Sequence, residues 1–226
     1  MKLLVINPNT TTAMTAQVVK GVSRMATSLA GQGVEVRGLT ATFGSEVIAT
    51  RQSFVIGAHA ALELLRSENG WADTVIIACF GDPGLAALQE LSSVPVVGMA
   101  QASLREAQAL QRPFRIITAG AAWAAMLREA VAIENAQALC EGITVMDTTG
   151  LAIANDPDAF VAQVQTLLNA AALQGAPTVI LGGAGFAGMR VRLRYAGQMI
   201  DGVEAATRAA VAHQRSLSSF ALSSDP

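Results

Sequence analysis

Charge is scarce in this sequence. Only 14% of its 226 residues are Asp, Glu, Lys or Arg, and the formal net charge is −2. Such a chain has no basic footprint for nucleic acid and none for an anionic membrane surface. Histidine and cysteine are scarcer still, at two each, and His59, His213, Cys79 and Cys140 form no sequence cluster. Two cysteines make no disulfide framework in a chain of this size. Without a His/Cys cluster no cysteine-ligated zinc is expected. Long apolar runs are missing too. Mean hydropathy is high, at +0.43, yet no run approaches the roughly 18–20 apolar residues that a membrane span needs. Too few strongly apolar residues precede Asn7-Pro8-Asn9 for a secretory leader. The expectation is therefore a cytoplasmic protein with no membrane or nucleic-acid partner.

What is present is aliphatic. Hydrophobic residues make up 52% of the chain and aromatic ones only 4%, as expected where a sheet is covered on both faces. Short β-branched runs alternate with helical stretches. The pattern predicts strands at Leu3–Asn7, Val34–Arg37, Thr74–Ala78, Val94–Val97, Phe114–Thr118, Thr144–Met146, Thr178–Leu181 and Gln198–Ile200. It predicts helices at Thr12–Ser28, Phe54–Arg66, Pro83–Leu91, Ala100–Leu110, Trp123–Ile133, Asp158–Leu173, Phe186–Arg194 and Val203–Arg215. This alternation argues for an α/β fold with mainly parallel sheets, whose ligands sit outside the carboxyl ends of the strands. The Ser-rich tail after Arg215 is expected to fray.

The chain also repeats itself. Thr74-Val-Ile-Ile-Ala-Cys-Phe-Gly-Asp-Pro-Gly84 and Thr178-Val-Ile-Leu-Gly-Gly-Ala-Gly-Phe-Ala-Gly188 lie 104 residues apart. The same offset pairs Gly81 with Gly185, Gly84 with Gly188 and Gly98 with Gly202, and it sets Cys79 against Gly183. Val5-Ile6-Asn7 has a counterpart in Ile116-Ile117-Thr118. Two pseudo-symmetric lobes follow, residues 1–110 and 111–202, with a helix over about 203–226 packing back on the first lobe. The strand ends of both should face a cleft between the lobes.

Four motifs fall at strand ends. Asn7-Pro8-Asn9-Thr10-Thr11-Thr12 either caps its own helix or offers amides and hydroxyls to a carbonyl or carboxylate oxygen. Cys79, in Ala78-Cys-Phe-Gly-Asp-Pro-Gly84, is either an inert buried thiol or one activated by a helix starting near Pro83. Asp82 there is an N-cap, an acid, or both. Gly183-Ala-Gly-Phe-Ala-Gly188 reads as G-x-G-x-x-G with Asp201 further on, a dinucleotide pattern. Duplication of the Cys79 turn explains the same glycines without a nucleotide. Thr118-Ala-Gly120 could mirror the Asn7 loop, and Asp147-Thr-Thr-Gly150 reads as a turn. Cys140 reads as structural, His59 as a surface or packed histidine, and Arg51 as solvated or steering an anion.

Ile6-Asn-Pro-Asn-Thr-Thr with Met14-Thr15, then Ala78-Cys-Phe-Gly-Asp-Pro-Gly-Leu85 and Pro95-Val-Val-Gly98, resembles the hydantoin racemase branch of the Asp/Glu racemase superfamily. The likeness runs from Leu3 to about Ala206. It implies a racemase-like fold, a small-molecule substrate, no cofactor and no metal, and a homo-oligomer is expected. It also implies two thiols flanking a carbon acid beside a carbonyl, one removing a proton and the other returning one, while polar donors hold the enolate oxygen. Carried onto this chain, Cys79 is the first thiol, and Asn7, Asn9, Thr10 and Thr118 contact substrate. Phe80, Gly81, Ala184 and Gly185, which follow the two thiol positions, are taken as further contacts.

The chain departs from the pattern at the second thiol. Leu181-Gly-Gly-Ala-Gly185 stands where these racemases read Leu-Gly-Cys-Ala-Gly, so Gly183 occupies the place of the missing cysteine. Two other readings stay open. One is a single-thiol decarboxylase or isomerase, similar to arylmalonate decarboxylases but with the cysteine in the opposite half. The other is a non-catalytic binder of a small carboxylate or ureide.

Overall fold

The computed structural model describes residues 1–148, 156–175 and 177–222. Among the described residues, eight parallel strands form two four-stranded sheets. Strands β1 (Lys2–Asn7), β2 (Glu35–Thr40), β3 (Thr74–Ile77) and β4 (Val96–Gly98) lie in the order β2-β1-β3-β4. Strands β5 (Phe114–Ala119), β6 (Cys140–Met146), β7 (Thr178–Gly182) and β8 (Met199–Asp201) repeat it as β6-β5-β7-β8. Helices α1 (Thr12–Ala30), α2 (Arg51–Ser67), α3 (Leu85–Leu91), α4 (Met99–Ala109), α5 (Trp123–Ile133), α6 (Pro157–Leu173) and α7 (Gly202–Leu222) connect and cover them.

Local chemistry explains the elements. Strand β3 is Thr-Val-Ile-Ile, buried throughout, as a central parallel strand must be. Helix α1 buries Thr15, Val18, Val22 and Ala26, one face at helical spacing. Helix α2 starts on a capping box: Ser53 N–H donates to Thr50 Oγ1 and Thr50 N–H to Ser53 Oγ. Asp156 caps α6 through Ala159 N–H at 2.9 Å.

Pairing registers make the repeat concrete. Leu3 pairs with Thr74 as Phe114 pairs with Thr178, so Asn7 and Thr118 are equivalent, and so are Cys79 and Gly183. The expected gapless match fails in the last strand. Val75 pairs with Val96, but Val179 pairs with Met199, so Gly98 corresponds to Asp201 rather than to Gly202. The slip arises between the strands. The helix expected over Phe186–Arg194 is absent, replaced by two 3₁₀ turns, Ala184–Phe186 and Arg190–Arg192. Left-handed Gly188, at φ +77°, breaks the segment between them. Helix α7 runs on past Arg215, where fraying is expected, to Leu222, within the C-terminal helix expected over about 203–226. It returns to the first sheet, where Gln214 Nε2 donates to the Asp73 carbonyl and to Thr74 Oγ1.

One large apolar cluster buries the first sheet and reaches Phe114, Ile116, Ile180 and Ile200 of the second. The alternate residues Ile117, Val179 and Leu181 face a smaller cluster with Phe160, Val164 and Leu168 of α6. In each sheet the strand order reverses beside the first strand, between β1 and β3 and between β5 and β7. Crevices at such switch points are where α/β sheets take ligands.

Candidate active site

The ends of β1, β3, β5 and β7 surround a pocket of about 90 Å³. Asn9 enters it from the β1 end, Cys79 and Phe80 from the β3 end, Thr118 from β5, and Gly183, Ala184 and Gly185 from beyond β7. Met14, Ile48, Trp123 and Phe186 are among the residues that complete the wall, and among the described residues no charged side chain lines it.

Asn9 is held in one orientation. Its Oδ1 accepts from Asn7 Nδ2 and from Thr11 N–H, both at 2.9 Å. Its own Nδ2 donates to no acceptor among the described residues, so two amide hydrogens remain for a ligand oxygen. Asn7 is the strut behind it and lies outside the pocket wall. It is fully buried; its Nδ2 also reaches the Thr11 carbonyl and Thr15 Oγ1, and its Oδ1 accepts from Asn9 N–H. Thr10 lies outside the wall as well, its N–H bound to the Ser45 carbonyl at 3.1 Å. Thr118 Oγ1 donates to the Gly182 carbonyl at 2.7 Å, tying the ends of β5 and β7 together.

Cys79 lies two residues beyond β3 and is 7% exposed. Burial, reinforced by the nearby Asp82 carboxylate, pushes its thiol well above the usual cysteine range. The sequence suggests the reverse, activation by a helix beginning near Pro83. That helix starts at Leu85 and spans seven residues, so no helix terminus opposes the burial. Cys79 thus rests as a thiol.

The turn after Cys79 is anchored through Asp82. Its N–H donates to the Cys79 carbonyl at 3.1 Å, and its carboxylate accepts from Ala100 N–H at 3.0 Å and Gln101 N–H at 2.7 Å. Asp82 therefore caps α4, not its own helix. Gly98 makes room for it, since a Cβ there would sit 2.3 Å from Asp82 Oδ2. Burial raises the Asp82 carboxyl to about 7. In the second half the cap moves. Asp201, which stands where Gly98 stands, accepts Val203 and Glu204 N–H groups at the start of α7.

The backbone N–H groups of Phe80 and Gly81, and those of Ala184 and Gly185, donate to no acceptor among the described residues. They are spare donors beside the two equivalent turns, although Gly81 itself lies beneath Trp123 rather than in the pocket wall. At Gly183 an added Cβ would lie 3.1 Å from Phe186 Cδ2 and 3.3 Å from Cε2. Phe186 is held by an edge-to-face contact with Phe160 at 5.0 Å. A side chain at residue 183 would therefore crowd the Phe186 ring, which would have to give by a few tenths of an ångström.

The remaining candidates fall away from the pocket. Cys140 opens β6. His59 lies on the exposed face of α2 beside Glu63, and Arg51 pairs with Glu129. No α-helix follows the Gly183–Gly188 turn, so the dinucleotide pattern lacks the helix N-terminus that would hold a pyrophosphate. Of the Asp147–Gly150 segment, Thr149 and Gly150 lie outside the described residues. Among the described residues no group of three or more His, Cys, Asp or Glu could hold a metal, and no helix is long and apolar enough to cross a membrane. Sequence reasoning missed Met14, Ile48, Trp123 and Phe186 as wall residues. For Trp123 a signal existed: a large aromatic directly after a strand-end glycine turn.

Two like sheets whose switch points meet around one small uncharged pocket define a duplicated α/β protein with a small-molecule site. The chain belongs to the Asp/Glu/hydantoin racemase family, whose model matches residues 3–210. A hydantoin racemase of Rhizobium meliloti is 32% identical over 215 residues, which cover 94% of this chain and 88% of that protein. The solved allantoin racemase from Klebsiella pneumoniae superposes with a TM-score of 0.85 at 27% identity, covering 96% of this chain and 89% of that one. A glutamate racemase from Bacillus anthracis shares the fold alone, at a TM-score of 0.62 and 14% identity over 94% of this chain and 81% of its own. The expected family and racemase-like α/β fold are borne out.

Proposed function

We propose that this racemase-family enzyme moves a proton at a carbon acid within a small neutral ring, a 5-substituted hydantoin or related ureide, with Cys79 as acid and base. The observation that carries this reading is the buried Cys79 thiol in a pocket where, among the described residues, no charged side chain lines the wall. A dicarboxylate would enter such a pocket without a cation to meet it, at a large desolvation cost. A neutral ring carries carbonyl oxygens that suit the free Asn9 amide and the spare N–H groups of the turns. Charge developing on a carbonyl oxygen as the α-proton leaves is stabilised by such fixed donors. Burial keeps Cys79 protonated, so it holds a proton to deliver to the enolate although it is a weaker acid than a free thiol; to act as base it must first lose that proton, which depends on donors brought close when the ring binds. Both cysteines are free, which suits a reducing compartment such as the cytoplasm.

A second reading is favoured by Gly183 and Phe186. With an apolar ring opposite Cys79, proton transfer on one face only would give exchange with retained configuration.

The test follows a 5-substituted hydantoin in D2O by proton NMR and optical rotation, with wild type and Cys79→Ser. Exchange with loss of rotation, reduced by about 10²–10⁴-fold in Cys79→Ser, supports the first reading. Exchange with rotation retained supports the second. Exchange unaffected by Cys79→Ser would remove Cys79 from both.

A further inference from the structure

We propose that Trp123 is the specificity-determining residue of this pocket, fixing its size and latching its third wall shut. The inference rests on the small-ring reading above for its substrate series, but not for its geometry.

Trp123 opens α5 and is almost fully buried. Its indole is wedged between two strand-end turns. On one side is the turn that follows Cys79: a Cβ on Gly81, where φ is +144°, would lie 2.4 Å from Trp123 Cζ3. On the other is the β5 turn: a Cβ on Gly120, where φ is +97°, would lie 3.2 Å from Cδ1. Any side chain at Gly81 would displace the ring, so the bare turn and the indole fit each other. The Nε1–H donates to the Ile48 carbonyl at 3.1 Å. Ile48 and Val47 belong to the segment between β2 and α2, and both line the pocket with Cys79. That segment comes from the first half of the chain and Trp123 from the second. The indole thus joins three walls, and the Arg51–Glu129 ion pair spans the same two parts of the chain at the surface.

A ring hemmed in at its benzo end by the Gly81 turn, at its pyrrole end by the Gly120 turn and tied at its nitrogen has one position. It limits the substituent a bound ring can carry, and its hydrogen bond keeps the 47–48 wall closed over Cys79.

The experiment compares wild type, Trp123→Ala and Trp123→Phe in two ways. First, kcat/KM is measured for 5-methylhydantoin and 5-benzylhydantoin. The expected result is a benzyl-to-methyl ratio raised at least about tenfold in Trp123→Ala, the order that misfit in an apolar pocket gives. Trp123→Phe keeps an aromatic wall but loses the donor, so KM rises while kcat holds. An unchanged ratio overturns the role in specificity. Second, iodoacetamide labelling of Cys79 is timed by mass spectrometry against Cys140 in the same molecule. The Cys79-to-Cys140 rate ratio is expected to rise at least about tenfold in Trp123→Ala and less in Trp123→Phe, because thiol reactivity follows access. A ratio unchanged in both variants overturns the latch. The labelling needs no substrate, so wild type failing on both hydantoins counts against the proposed function while labelling still decides for or against Trp123.

Discussion

Phe186 stands against Gly183, close enough that a side chain at residue 183 would meet its ring at 3.1 Å. Glycine and phenylalanine are therefore one feature: the ring fills what the missing side chain leaves. Restoring a thiol at residue 183 asks a buried ring, held edge-to-face against Phe160, to give way.

Gly183→Cys alone is expected to lower stability by about 1–3 kcal/mol, the usual cost of overpacking, without faster loss of optical rotation. Paired with Phe186→Ala, the same cysteine should gain access to the pocket. Loss of rotation of a 5-substituted hydantoin should then quicken about tenfold or more over the single variant. Polarimetry and thermal melting of the single and double variants check this. Equal rates in both would show that Phe186 obstructs nothing.

The Asn7–Asn9 pair separates support from contact. Asn9→Asp keeps the Oδ1 acceptor for Asn7 Nδ2 and Thr11 N–H but replaces the free amide hydrogens with a carboxylate oxygen. Its melting temperature should stay near wild type while α-proton exchange falls about 100-fold or more, as when an oxyanion donor is removed. Asn7→Ala removes a fully buried strut and should cost about 2 kcal/mol of stability. If Asn9→Asp exchanged at the wild-type rate, its amide would not touch the ligand.

Much of this site was legible in the sequence because strand ends are. Alternation fixed which residues leave the sheet at β1, β3, β5 and β7, and the repeat alone placed Cys79 opposite Gly183. What stayed hidden depends on side-chain reach across the chain. Asn7 and Asn9 are two residues apart and look interchangeable in sequence. Only the hydrogen bonds tell that Asn7 braces and Asn9 presents its amide. Asp82 looks like a cap for the helix after Pro83, yet it reaches forward to α4 because Gly98 leaves the space. The helix expected over Phe186–Arg194 failed because its apolar spacing could not outweigh the glycine at residue 188. The thiol's acidity is illegible for a related reason. Proximity to a helix start is local and visible, whereas the burial that dominates it comes from both halves at once.

The two cap carboxylates give a pH dependence with a definite sign. Burial raises Asp201 from 3.8 to about 6 and Asp82 from 3.8 to about 7. In the unfolded chain both lose their protons near pH 4; in the folded chain they hold them longer. Stability is therefore fully present below about pH 4 and falls as pH rises through the folded values. Asp201 offers the cleaner test. Its Oδ1 accepts both cap bonds, while its buried Oδ2 has no partner among the described residues. Asp201→Asn keeps the acceptor and has no charge to bury. It should come close to wild type near pH 4 and exceed it by about 3 kcal/mol near pH 7.5, since each tenfold tightening of proton binding on folding corresponds to about 1.4 kcal/mol. Asp82→Asn should gain less, because both Asp82 oxygens accept backbone N–H groups and an amide would set N–H against N–H. Urea unfolding at three values between pH 4 and 7.5 measures both. A constant offset between Asp201→Asn and wild type across that window would mean that Asp201 does not titrate there.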